Sequence, residues 1–132
     1  MKKILVTICN YNHSKYLKQS IESIQNQTHD NLDICVIDDG SEDLNSVKEI
    51  MESFKDDSRI RFLVNEKNMG KWWCLNKAIS TTTALVCTSH DADDVSLKQR
   101  IQLQSQIMLE QNNISKLISH SHSVHARLLL SF

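Results

Sequence analysis

Apolar positions follow two rhythms along this chain. Residues 3–9 form a nearly unbroken run built from Ile4, Leu5, Val6, Ile8 and Cys9, the pattern of a strand buried on both faces of a parallel sheet. Residues 32–37 and 84–88 also read as strands, and residues 60–64 alternate less cleanly but suit a third strand. Between them the spacing switches to that of helices. Tyr16, Leu17, Ile21 and Ile24 share one helical face, with Ser14 as the expected N-cap. Val47, Ile50, Met51 and Phe54 mark a second helix, capped by Ser41 or Asp43. Trp72, Leu75, Ala78 and Ile79 mark a third, and Leu97, Ile101, Leu103, Ile107, Met108 and Leu109 a longer fourth.

Strands alternating with helices predict β-α-β crossovers. The expected fold class is α/β: a Rossmann-like, mostly parallel sheet with helices on both faces. Right-handed crossovers put every strand's carboxyl end on one edge, where open α/β sheets bind ligands. That edge then carries Asn10, Tyr11 and Asn12, the pair Asp38 and Asp39, and the cluster Asp91, Ala92, Asp93 and Asp94. From Asn112 the pattern weakens; residues 114–118 suit a fifth strand.

Composition narrows the function. The chain has 132 residues, enough for one domain with a real core. Its formal net charge of -1 and pI of about 6.6 do not mark a nucleic-acid binder. No apolar run reaches a membrane span and no secretory leader is expected. Cys9, Cys35, Cys74 and Cys87 lack a C-x-x-C spacing and read as reduced, packed thiols of a cytosolic protein. With no proline and two glycines, turns fall to Asn, Asp and Ser, and Gly40 and Gly70 mark sharp turns.

Three carboxylates in four residues after a buried strand need neutralising charge. Alternation in an extended segment would put Asp91 and Asp93 on one side. There they can hold Mg²⁺ or Mn²⁺ with phosphate oxygens and water; a solvated acidic turn is the plainer reading. Asp38 and Asp39 can accept hydrogen bonds from a base or ribose, or simply end a strand. The Tyr11 ring can stack on a base, with main chain near Cys9 beside it. Trp72 and Trp73 are expected to fill the core or an interface. His120, His122 and His125 read as incidental surface histidines, and His90 as a local hydrogen-bond partner.

Together these stretches resemble the inverting family-2 glycosyltransferases of the GT-A fold. Ile8 to Asn12 resembles the family's first strand and Pro-Thr-Tyr-Asn turn. Residues 20–28 resemble its S-I-x-S-[IV]-x-x-Q-[ST] helix end, and residues 36–41 match V-x-D-D-G-S. Asn68 to Gly70 with residues 76–79 resembles N-x-G followed by R-N-x-A-I. Asp91 to Asp94 with Arg100 resembles D-x-D-D and P-x-R-L. The departures are Cys9 and Asn10 for Pro and Thr, Leu75 for Arg, and Lys98 for Pro.

The resemblance implies a donor site for a nucleotide sugar, a UDP-sugar first. Tyr11 and the chain around Cys9 would contact the base. Asp39 would bind base or ribose, Asp91 would lie near the ribose or donor sugar, and Asp93 would ligate Mg²⁺ or Mn²⁺. A sugar acceptor would be the second partner, and the catalytic base is unassigned. The domain expectation is residues 1–113 as the GT-A-like nucleotide-sugar-binding part and 114–132 as an atypical segment, with the chain a truncated donor-binding half. The expected location is the cytoplasm, or the inner membrane face as a peripheral protein. The alternatives are a degenerate binding module that self-associates into a homo-oligomer, and a phosphohydrolase using Asp91 in a D-x-D-x-V motif.

Overall fold

A computed structural model describes residues 1–110 and 127–128, with side chains described through residue 108. The elements run β1 (Ile4–Asn10), α1 (Ser14–Gln25), β2 (Leu32–Asp39), α2 (Leu44–Glu52), β3 (Ile60–Asn65), α3 (Lys71–Ser80), β4 (Val86–Asp91), α4 (Arg100–Glu110) and β5 (Arg127–Leu128). The sheet order is β3-β2-β1-β4-β5. The first four strands are parallel and β5 pairs antiparallel with β4. The α/β, mostly parallel architecture read from the sequence is the one observed. Residues 114–118 and the three late histidines lie outside the described residues.

Side-chain parity divides the core. Even positions of β1 and β2 (Ile4, Val6, Ile8, Leu32, Ile34 and Val36) pack with Leu17, Ile21 and Ile24 of α1, Val47 and Met51 of α2, and Ile101 of α4. Odd positions (Leu5, Cys35 and Ile37) face Cys74 and Ala78 of α3, with Cys9 at the margin. Helices therefore cover both faces, and the central strands are apolar on both. The same parity governs the polar residues at the carboxyl edge.

The caps depart from expectation. His13, not Ser14, holds the N-cap position of α1, and neither it nor Asp43 before α2 caps with its side chain. The Asp43 carboxylate instead accepts the Ser14 N–H at 3.3 Å, across the two loops. Strand β4 begins two residues later than expected and runs on to Asp91. Its partner β1 offers register as far as Cys9, opposite Asp91, and this pairing overrides the polar character of Thr88, Ser89 and His90, all buried. Trp72 and Trp73 do not fill the core: they are 61% and 41% exposed, because the inward face of α3 is taken by Cys74, Leu75 and Ala78.

Candidate functional site

The strand order reverses direction at β1: β2 and β3 lie to one side and β4 to the other. Such a switch point opens a crevice at the carboxyl ends of the strands. Cys9 of β1 sits there, opposite Ile37 of β2 and Asp91 of β4.

Parity gives the two adjacent aspartates different work. Asp38, at an even position, lies on the α1/α2 side and is fully buried. Its Oδ1 accepts from Asn10 Nδ2 at 3.0 Å and its Oδ2 from the Ser41 N–H at 2.9 Å. Ser41 Oγ accepts the Asn12 N–H at 2.9 Å, and Asn12 Oδ1 accepts the Glu42 N–H at 2.9 Å. These bonds clamp the loop after β1 to the loop after β2. Asn12 takes a left-handed conformation, φ 56°, which Asn tolerates better than most side chains.

Asp39 faces α3 and is 1% exposed. Its Oδ1 accepts from Asn65 Nδ2 at 2.8 Å and the Met69 N–H at 2.9 Å; its Oδ2 accepts the Gly70 N–H at 2.9 Å. Burial pushes its pKa up, but the hydrogen bonds from Asn65, Met69, Gly70 and Cys74 outweigh this and hold the carboxyl below the usual carboxylate range. Lys77 Nζ donates to Asn65 Oδ1 at 2.9 Å, which turns the Asn65 amide N–H₂ toward Asp39. Asp39 thus remains ionised and fastens the β3–α3 loop to the end of β2.

Cys9, Tyr11, His13, Asp39, Asn68, Gly70, Lys71, Asp91, Ala92 and Asp93 line one open cleft of about 390 Å³. All five residues expected from the sequence are brought together there. Tyr11 is 41% exposed, so its ring is available to a ligand. The D-x-D segment is not extended. It is a turn in which the Asp94 N–H donates to the Asp91 carbonyl at 3.1 Å, because β4 ends at Asp91. Both carboxylates border the cleft even so. Lys71 Nζ donates to Asp91 Oδ1. Asp93 is exposed and has no hydrogen-bond or ion-pair partner among the described residues.

Beyond the turn, His90 serves the fold. One ring nitrogen bonds the Asp94 carbonyl at 3.1 Å, and the other bonds Ser96 Oγ at 3.2 Å. Burial, then Arg100, push its pKa down to about 4 against the opposing pull of Asp94 and Asp91. The neutral ring is the stabilising form. That contribution is complete above about pH 6.5 and is lost as pH falls toward 4. Urea unfolding is expected to show stability falling by about 2–3 kcal/mol between pH 7 and 4.5, and His90→Asn should remove most of that slope. An equal slope in the variant would contradict this role.

Lys71, Asn65 and Cys74 escaped the sequence reading. Lys71 follows Gly70 at the start of α3, so its place beside the cleft was available from the glycine turn. It supplies positive charge beside the cleft. Asn65 and Cys74 act through Asp39, and no spacing in the chain links them to it.

Residues 5–125 match the family model described as Glycosyl transferase family 2. An uncharacterized glycosyltransferase of Methanocaldococcus jannaschii is 34% identical over 117 residues, covering 88% of this chain. The chain spans 40% of that relative's length. Among solved structures, S. aureus TarS in complex with UDP-GlcNAc superposes with a TM-score of 0.71 at 23% identity, over 83% of this chain and 32% of TarS. The mannosyltransferase PcManGT of Pyrobaculum calidifontis, in complex with GDP-Man and Mn2+, gives 0.67 at 22% identity, over 83% of this chain and 32% of its own. The architecture is that of these glycosyltransferases, and with a family match over nearly the whole chain, the protein belongs to glycosyl transferase family 2.

Proposed function

We propose that the cleft at the switch point binds a nucleoside-diphosphate sugar, a UDP-sugar first, as the donor of an inverting glycosyl transfer. One observation carries this: Cys9, Tyr11, Asp39, Asp91 and Asp93 come from separate segments and line the same opening. Its volume lies within the range of small-molecule sites. The base would lie against the Tyr11 ring and the main chain at Cys9. Asp39 would meet the base or ribose edge, since Oδ2 accepts only one backbone bond and a carboxylate oxygen has room for another. Asp91 would lie near the ribose or donor sugar. Same-fold proteins solved with UDP-GlcNAc and with GDP-Man and Mn2+ support the donor class.

The residues present fit a divalent cation. Asp93 offers an exposed carboxylate with no partner among the described residues, and hard oxygen ligands suit Mg²⁺ or Mn²⁺. Bound there, the ion would supply positive charge to neutralise the departing diphosphate. Lys71, half-exposed beside Asp91, adds a second positive group. The reaction of the whole enzyme would be attack of an acceptor hydroxyl on the anomeric carbon, with the nucleoside diphosphate leaving. No residue is assigned the acceptor's proton.

No described helix is long and apolar enough to cross a membrane. None of the four cysteines is joined in a disulfide, which fits a reducing compartment, the cytoplasm.

Calorimetric titration with UDP and Mn²⁺ tests the reading. Asp93→Asn is expected to weaken UDP binding by about 10- to 100-fold, or 1.4–2.7 kcal/mol, and to abolish its dependence on Mn²⁺. Unchanged affinity in the variant would overturn the assignment of Asp93.

A further inference from the structure

Two thiols meet at the floor of the cleft. Cys9 is the last odd position of β1, and Cys74, fully buried, lies on the first turn of α3. Their sulfurs and a carboxylate oxygen of Asp39 all lie within 4.8 Å of one another. No other group of His, Cys, Asp and Glu among the described residues comes as close. The Cys9 thiol lies beside that of Cys74, and Cys74 beside the Asp39 carboxylate. Asn65 Nδ2 points at Cys74 Sγ from 3.4 Å. Cys9 and Asp39 border the cleft, which gives the trio a side toward the opening, while Cys74 itself is fully buried.

Donor type and spacing choose the ion. A tetrahedral Zn²⁺ centre with bonds of about 2.3 Å to sulfur and 2.0–2.2 Å to oxygen sets its ligands about 3.5–3.8 Å apart. The trio's ligand atoms, all within 4.8 Å of one another, need only a small contraction to reach that spacing. Two thiolates favour Zn²⁺ or Cd²⁺ over Mg²⁺ or Mn²⁺, whereas the lone carboxylate of Asp93 has the opposite preference. Three protein ligands leave a fourth position for water.

We propose that Cys9, Cys74 and Asp39 form a binding site for a thiophilic divalent cation of the Zn²⁺ class, distinct from Asp93, and that this ion and the nucleotide exclude one another. On binding, both thiols release their protons to solvent and the ion takes their place between the sulfurs and the carboxylate. Three anionic ligands around one dication leave a net negative site. Asp39 is then occupied, and the wall beside the base is altered. The exclusion rests on the donor-site reading above; the cation site itself does not.

Co²⁺ is the probe, added to the whole chain without nucleotide. The expected result is thiolate-to-cobalt charge-transfer absorption with release of both thiol protons. It should persist in Cys35→Ala and Cys87→Ala and vanish in Cys9→Ser and Cys74→Ala, with circular dichroism reporting that each variant is folded. No such band in the wild-type protein, or a band that survives both substitutions combined, would overturn the site. Zn²⁺ is then expected to weaken UDP binding about tenfold or more in the wild type, and not in Cys74→Ala. Equal UDP affinity with and without Zn²⁺ would overturn the exclusion. If metal-free protein with Mg²⁺ binds no UDP at all, the donor reading and the exclusion both fall, while the cobalt band still decides the cation site.

Discussion

Asp39→Ala is expected to destabilise the domain by about 3 kcal/mol, because it strips the acceptor from the Asn65, Met69 and Gly70 donors at once. Asn65 Nδ2 is buried, and the Met69 and Gly70 N–H groups are partly so. Left unpaired, each costs about 1–3 kcal/mol; relief of the buried charge offsets part of the sum. Asp39→Asn does not rescue it. Its oxygen can keep Asn65 and Met69, but its N–H₂ then faces the Gly70 N–H. Chemical denaturation reads the loss, and hydrogen exchange should locate it in residues 66–70. The pH response separates charge from shape. Since the folded pKa lies below the unfolded one, the ion's contribution is whole above about pH 4 and is lost as pH falls further. Below pH 4, Asp39→Asn should therefore lose less stability than the wild type. A variant as stable as the wild type at pH 7 would contradict the role given to Asp39.

Gly40→Ala should cost at least as much by a different route. Gly40 has φ +77°, and a Cβ there would lie 2.5 Å from the Lys67 carbonyl carbon and 2.7 Å from the Asn68 nitrogen. Both neighbours are backbone, so the β3–α3 loop itself must shift. The left-handed conformation alone costs about 1–3 kcal/mol for a residue with a side chain; the clash adds to it, for an expected total of about 3 kcal/mol or more. Gly70→Ala is the control. Gly70 also has a positive φ, +93°, but a Cβ there meets nothing within 4 Å. It should show backbone strain alone and cost less than Gly40→Ala. The Asp39 and Gly40 substitutions both loosen the same loop, so the double variant is expected to lose less than the sum. Thermal unfolding of the four variants reads the order.

The sheet was legible because its signal is local. Even and odd positions of β1 and β2 are both apolar, and alternation with helical spacing leaves few topologies. The gathering of Cys9, Tyr11, Asp39, Asp91 and Asp93 followed from that topology alone, since every parallel strand ends at one edge. What stayed hidden depends on pairs far apart in the chain. Nothing local says that Asp43 leaves its own helix to accept the Ser14 N–H. Nor does anything local say that Asp38 holds loops while Asp39 holds the turn before α3, although counting parity along β2 separates them. The tryptophans misled for the opposite reason. Their bulk suggests burial, but the inward face of α3 belongs to the smaller Cys74 and Ala78, because the helix approaches the sheet closely. The acidic turn kept its place in the cleft while losing the extended geometry assumed for it.

The central claim is that one cleft at the β1/β4 switch point takes the donor. The most direct test is a two-dimensional ¹H–¹⁵N spectrum of the ¹⁵N-labelled chain titrated with UDP and Mg²⁺, then with Mn²⁺ replacing Mg²⁺. The account predicts shifts confined to the amides of Cys9, Tyr11, Asp39, Gly70, Lys71 and the Asp91 to Asp93 turn. Paramagnetic broadening by Mn²⁺ should be strongest at Asp93 and weak along α2. Shifts centred elsewhere, or broadening that ignores Asp93, would contradict it.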